Sequence, residues 1–250
     1  MLPELTQEEF SAALDLAAAD VLSAAGGDAP PVDAFALAGG LGLKVAFDDR
    51  QRGRGRFVRL KAFARGCSRG SILLRPEPRG ERLQWAVAHE IGEALAARVF
   101  EILGVDAREA PPNARETVAN ALAGRLLLPA EWFRHRAARS GWDLFALKRE
   151  FSTASHELIA RRMLDFEPPV IITIFDHARL SFRRGNLRFR PAALSAQEQR
   201  CWQQAHETGD TQFDEDGSCA VWAWPVHEEG WKREILRTLP QCEDGGEEAE

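Results

Sequence analysis

Trp85-Ala86-Val87-Ala88-His89-Glu90-Ile91-Gly92-Glu93-Ala94-Leu95-Ala96 is the stretch that decides how this chain is read. Leu83, Val87, Ile91, Leu95 and Val99 recur at every fourth position, which predicts a long buried helix within Glu81 to Leu103. In such a helix His89 and Glu93 lie one turn apart on the same face. Glu90 follows His89 about 100° further round. The stretch has no charged residue besides these glutamates. Burying a histidine and two carboxylates in so apolar a helix is costly unless something pairs with them. A divalent cation is the simplest such partner.

In the motif HExxH, two histidines at i and i+4 hold zinc, and the glutamate beside the first handles a proton. Here Glu93 stands at the second histidine, so the pattern is HExxE. Read alone, a His and two Glu within five residues also describe a solvated helical face, and it is the apolar context that argues against this. A third acidic group is on offer. Pro111 and Pro112 break the chain, and Asn113 is placed to cap a helix running to about Leu128, with Glu116 in its first turn. Glu116 alone would read as an ordinary helix-start acid. Asn120 lies one turn on, and Ala123 and Gly124 are small enough for close helix packing.

Around this pair the pattern is mixed. Thr6 and Glu9 form a capping box ahead of a helix carrying Phe10, Leu14, Ala18, Val21 and Leu22. A short helix is predicted over Val32–Ala38, then a strand at Leu43, Val45 and Phe47. Arg50 to Arg69 reads as a hairpin with a flexible basic tip, either simply solvated or presenting an edge strand to an extended substrate. Ser71 to Leu74 resumes as a strand. After Pro129 come helical pieces at Trp132–Arg139 and Leu144–Leu147, and one from Ser152 or Thr153 to Leu164. Together residues 143–164 form a helix-turn-helix-like segment. Beyond Pro168-Pro169, strands are expected at Val170–Phe175, Arg179–Arg183 and Asn186–Arg190, the last two turning at Gly185-Asn186. A helix over Leu194–His206, a strand at Ala220–Trp224 and a helical turn at Trp231–Leu236 follow. Arg183, Arg184, Arg188 and Arg190 read as a solvated basic patch.

The 250 residues allow one large domain or two small ones. With 32 basic and 38 acidic residues the net charge is -6, against nonspecific polyanion binding as the main task. The basic residues of the helix-turn-helix-like segment are offset by Asp143, Glu150, Glu157 and Asp165, so packing or partner docking is expected there and direct DNA binding is not. No apolar run approaches the roughly 18 residues of a membrane span, and the acidic start is unlike a secretory signal. A soluble cytoplasmic protein without membrane association is expected. The four cysteines lack metal-binding or redox spacing and read as reduced thiols.

Ala86-xx-His89-Glu90-Ile91-Gly92, followed by Glu116-xx-Ala119-Asn120-xx-Ala123-xx-Leu126-Leu127-Leu128-Pro129, resembles the ImmA/IrrE family of metallopeptidases. Pro31-Val32-Asp33 with Leu37 to Val45 resembles that family's N-terminal block, and Phe151 to Arg161 its helix-turn-helix-like segment. The resemblance runs from about Pro30 to Leu164. It implies an α+β fold: a zincin-like helical core with a small β-sheet, the helix-turn-helix-like segment and a β-containing C-terminal region. It implies His89 and Glu116 as metal ligands, Glu90 as general base, and Glu93 as a substitute ligand. The implied cofactor is a divalent metal, zinc first. Mn²⁺ and Fe²⁺ become more competitive as oxygen replaces nitrogen. The implied activity is hydrolysis of a cytoplasmic protein partner, such as a transcriptional repressor, by water activated at the metal. With no Tyr in the chain, a His or an Arg must be the second donor to an oxyanion, or there is none, and His135, His156 and His177 are the candidate histidines.

The expected organisation is a metallopeptidase-like domain over 1–166, a small β-containing region over 167–240, and a disordered acidic tail over 241–250. The alternative function is a non-catalytic regulatory or binding protein on a degenerate peptidase fold.

Overall fold

Thr6 opens the first helix with the expected capping box: its hydroxyl accepts from the Glu9 backbone N–H, and the Glu9 carboxylate accepts from Thr6. The computed structural model describes residues 6–50, 55–60, 69–111, 113–166, 168–187 and 190–240. The chain is α+β, and its contacts divide it into two units, Met1–Ser155 and His156–Glu250. The tip of the basic hairpin and the acidic tail lie outside the described residues.

In the first unit α1 (Gln7–Ala24) buries Leu14, Ala17, Ala18, Val21 and Leu22. Asp33 caps α2 (Ala34–Gly40), accepting from the Phe35 N–H at 2.9 Å. Gln84 Nε2 also donates to Asp33, which ties α2 to the long helix α3 (Gly80–Ile102). Three strands form one sheet in the order β1 (Lys44–Phe47), β3 (Arg69–Leu74), β2 (Gly55–Leu60). β1 runs parallel and β2 antiparallel to β3, so β2 lies at an edge. The central strand buries Ile72 and Leu74 completely, and α3 packs against β2 and β3.

Helix α4 (Ala114–Leu127) lies along α3. The expected Asn113 side-chain cap is not formed; the Asn113 carbonyl instead accepts from the Thr117 hydroxyl at 3.0 Å. α5 (Ala130–Arg139) and α6 (Leu144–Glu150) follow, the latter capped by Asp143, which accepts from Ala146 N–H. A Lys148–Glu81 ion pair ties α6 to α3.

The second unit opens with α7 (His156–Arg162) and a 3-10 turn at Met163–Asp165. Its five-stranded antiparallel sheet has the order β5 (Arg179–Gly185), β4 (Ile171–Asp176), β8 (Trp231–Pro240), β7 (Cys219–Glu228), β6 (Gln212–Glu215). Three expectations change here. Trp231 to Leu236 is strand, because β8 lies between β4 and β7 and pairs with both. Asn186 and Leu187 do not extend the sheet, and the strand expected from Asn186 to Arg190 lies in part outside the described residues. The hairpin turn is His177-Ala178, with φ 49° and 60°, between the paired Asp176 and Arg179. Two successive positive φ values match the right-handed twist of a tight hairpin.

The remaining helix, α8 (Ala196–Thr208), is capped by a Ser195–Glu198 box and packs on β6, β7 and β8. Trp202 stacks on Phe175, with ring centroids 4.4 Å apart. Cys201 and Cys219 are buried free thiols, and burial pushes Cys201 up to about 11. Arg183 is not part of a solvated patch: it is mostly buried and donates twice to Glu198, at 2.9 and 3.0 Å. No described helix is long and apolar enough to cross a membrane.

Candidate metal centre

Gly92 sets the geometry. A Cβ placed there would stand 2.6 Å from the Ala119 carbonyl oxygen and 3.0 Å from the Ala119 Cα. The backbones of α3 and α4 therefore touch at this point, which only a residue without a side chain allows. The contact lies next to Glu93 on α3 and one turn from Glu116 on α4.

His89, Glu93 and Glu116 are thereby gathered, with one ligating atom from each all within 4.8 Å of one another. His89 Nε2 is 3.6 Å from Glu116 Oε2. Asn120 Nδ2 donates to the other oxygen, Oε1, at 2.9 Å, which leaves Oε2 turned to His89. An ion with bonds of about 2 Å needs ligand atoms no more than about 4 Å apart. Small side-chain rotations bring the three within that limit, so the residues present fit a divalent ion.

Glu90 is the buried member, with 6% of its surface exposed. Burial pushes its carboxyl above the ordinary carboxylate range. Glu93 and Glu116 push the same way, while His89 and a hydrogen bond from the Phe57 backbone N–H act against it. On the same strand, a Cβ at Gly55 would come within 2.7 Å of Glu90 Oε1. The edge strand β2 therefore runs directly over the Glu90 carboxylate.

Arg115 is the residue that sequence reasoning misses. Its Nε meets Glu93 Oε2 at 2.5 Å and its Nη2 donates to the Glu93 backbone carbonyl at 2.6 Å. The available signal is charge: replacing a histidine by glutamate adds a negative group, and Arg115 is the neighbour of Glu116. Of the three other histidines considered, His135 is exposed on α5, His156 opens α7, and His177 stacks edge-on against Trp231. The group gathered at His89 contains none of them.

A second group, His206, His227 and Glu234, lies in the second unit, and its ligating atoms too are all within 4.8 Å of one another. It is absent from the sequence-level reading, because the three residues come from a helix end and two strands with no motif spacing.

Among curated proteins none matches the sequence significantly. Among solved structures, a Mycobacterium tuberculosis transcriptional regulator superposes with a TM-score of 0.63, covering 93% of this chain and 81% of that one at 16% identity. At that identity the likeness is one of fold. Residues 38–164 match the Peptidase_M78 family model, described as the IrrE N-terminal-like domain. That match covers just over half of the chain, includes both helices of the candidate centre, and shows that the chain belongs to this ImmA/IrrE-type family of metal-dependent peptidases.

Proposed function

We propose that the chain is a metal-dependent endopeptidase acting on a protein partner, with a transcriptional repressor as the expected class. The observation that carries this is the convergence of His89, Glu93 and Glu116 beside a buried Glu90. The three would hold the ion, with zinc expected first. A divalent ion supplies Lewis acidity, both to activate a water and to polarise a carbonyl.

The chain's own residues do the rest. Glu90 takes the proton from the attacking water and returns it to the leaving amine. A carboxylate placed beside the attacking water can both accept and release a proton. The Phe57 N–H and the close approach of Gly55 fix the carboxylate in place. Asn120 orients Glu116, as hydrogen bonds to a ligating carboxylate commonly do. The edge strand β2 offers backbone groups to an extended polypeptide passing Glu90.

A second reading, a binding protein on a degenerate peptidase fold, is favoured by one observation: Arg115 already neutralises Glu93. A carboxylate has two oxygens, so this contact does not exhaust Glu93. The experiment is elemental analysis of the purified chain together with cleavage of a candidate repressor, wild type against Glu90→Gln. Glu90→Gln should keep its metal and lose roughly 10²- to 10⁴-fold in cleavage. A wild type that holds no stoichiometric metal yet binds the repressor uncut would replace the enzyme by the binding protein.

A further inference from the structure

Glu234 sits on β8, opposite Phe175 of β4 and Pro225 of β7. Its side chain is fully buried, at 0% exposure. Two residues beyond Pro225, on the same face of the sheet, stands His227. Helix α8 covers that face and brings His206 from its last turn. Both imidazoles point at one carboxylate oxygen: His206 Nδ1 is 2.9 Å and His227 Nε2 is 2.7 Å from Glu234 Oε1. The other oxygen, Oε2, accepts from Trp202 Nε1 at 3.3 Å. Among the described residues, the ion pairs of Glu234 are with these two histidines and with no lysine or arginine.

A buried carboxylate must be paired or hydrogen-bonded, and here its charge is answered either by N–H groups of the two imidazoles or by a cation seated among the three groups. We propose that His206, His227 and Glu234 form a second divalent transition-metal site of the zinc class, with ligands independent of those around His89. Two imidazoles and one carboxylate are the ligand set of open zinc sites, which keep a further position for water or an exogenous group. The two histidine side chains are 29% and 23% exposed, which leaves solvent access on their side. Trp202 acts as an outer-shell donor that holds the carboxylate in orientation. In a tetrahedral site with bonds of about 2.0–2.1 Å, ligand atoms lie roughly 3.3 Å apart. The imidazoles would thus draw back from Oε1 by about half an ångström, a small rotation for side chains that reach solvent. A bound ion would link the end of α8 to β7 and β8 and stabilise this unit by mass action.

The test uses the full chain, stripped by chelator, in four forms: wild type, His89→Ala/Glu116→Gln, His206→Ala/His227→Ala, and the combination of all four substitutions. Zn²⁺ is titrated by calorimetry, and Co²⁺ by its visible absorption. The expected result is one equivalent retained in His89→Ala/Glu116→Gln, with the Co²⁺ bands of a four- or five-coordinate site. Adding His206→Ala/His227→Ala to that background should weaken binding at least 100-fold. Circular dichroism of the metal-free forms reports folding. If the alanine pair unfolds, His227→Gln, which keeps a polar group at a partly exposed position, replaces it, and X-ray absorption on the Zn²⁺-loaded His89→Ala/Glu116→Gln form should count two imidazoles. A single wild-type equivalent that disappears in His89→Ala/Glu116→Gln would overturn the proposal. So would an equivalent that survives the loss of His206 and His227 in the chain that already lacks the His89 and Glu116 ligands. A single equivalent that survives loss of His89 and Glu116 but not of His206 and His227 would support this site while removing the metal from the proposed peptidase centre, so the two readings fail separately.

Discussion

Arg115 holds Glu93 at two points, through the carboxylate at 2.5 Å and through the backbone carbonyl at 2.6 Å. The pair crosses from α4 to α3, and Arg115 is half-exposed. Its cation stands next to the place where a divalent ion would bind. Substitution Arg115→Ala removes that like charge and frees the carboxylate. In partly solvated surroundings one such charge is worth about 1 kcal/mol, so Zn²⁺ affinity should rise roughly fivefold. Calorimetric titration of both proteins checks this. A fall in affinity would instead make Arg115 a residue that positions Glu93 for the metal.

Gly55 and Glu90 show how the edge strand and the proton acceptor share space. A methyl at Gly55 meets Glu90 Oε1 at 2.7 Å and Cγ at 3.0 Å. The clash falls on the end of a flexible side chain, so the fold should lose under about 1 kcal/mol while the carboxylate is displaced. Misplacing a catalytic group by about 1 Å can cost on the order of 10²-fold. Gly55→Ala is therefore expected to melt close to wild type, bind Zn²⁺ as wild type does, and cleave at least tenfold more slowly. Equal cleavage would show that Glu90 works from another position or not at all.

Gly92→Ala differs in kind, because the atoms it meets are the backbone of Ala119. Neither helix can move one side chain aside; α3 and α4 must separate by some tenths of an ångström. Overpacking of this sort costs about 1–3 kcal/mol. The same separation carries Glu116 away from His89, so both the melting temperature and Zn²⁺ affinity should fall together. Lowered stability with unchanged affinity would uncouple the helix contact from the ligand geometry.

The ordered pair of motifs makes the first unit readable in advance. Capping residues Thr6 and Asp143 mark their helices, and the fourfold spacing from Leu83 to Val99 marks α3, because these signals are local in sequence, whereas Asp33, read inside the second helix, in fact caps it. Gly92 is legible only afterwards: its meaning depends on Ala119, 27 positions away, and no local rule predicts a backbone contact. Arg115 is hidden for the same reason. In the second unit Trp231 to Leu236 looks helical by composition, but β4 and β7 claim it from both sides, and strand propensity follows such neighbours more than the residue itself. Arg183 reads as solvated beside Arg184 in sequence, yet the hairpin turns it inward to Glu198.

Glu198 anchors the second unit and should govern its acid stability. Burial works to raise its pKa, but two hydrogen bonds from Arg183, one from the Thr238 hydroxyl at 2.7 Å and one from the Ser195 N–H at 2.8 Å outweigh it, and the carboxyl lies below its ordinary 4.5. A lowered folded-state pKa means stabilisation that is fully present above the ordinary value and lost as pH falls through the folded one. Breaking a buried pair by removing one partner costs about 3–5 kcal/mol. Glu198→Gln should lose about that much at pH 7, and the gap to wild type should close as pH drops below 4.5. Urea unfolding followed by Trp fluorescence at several pH values measures it. A gap that does not change with pH would mean that shape, not charge, makes the contact.

Glu93→His restores the HExxH pattern and leaves Arg115 without its carboxylate. Two effects on Zn²⁺ oppose each other. Imidazole suits zinc better than a second carboxylate does. The released guanidinium, however, still repels the ion, by about 1 kcal/mol in partly solvated surroundings. The ligand exchange is the larger effect, so affinity should rise, and it should rise further in Glu93→His/Arg115→Ala. With one negative ligand charge fewer, the activated water should ionise at lower pH, which moves the pH–rate profile to the acid side. The measurements are Zn²⁺ affinity and cleavage of a candidate repressor across pH for the wild type and both variants. If the wild type binds no divalent metal where Glu93→His does, and neither cuts, then the ion pair with Arg115 has replaced the metal, and the binding-protein reading stands in place of the enzyme.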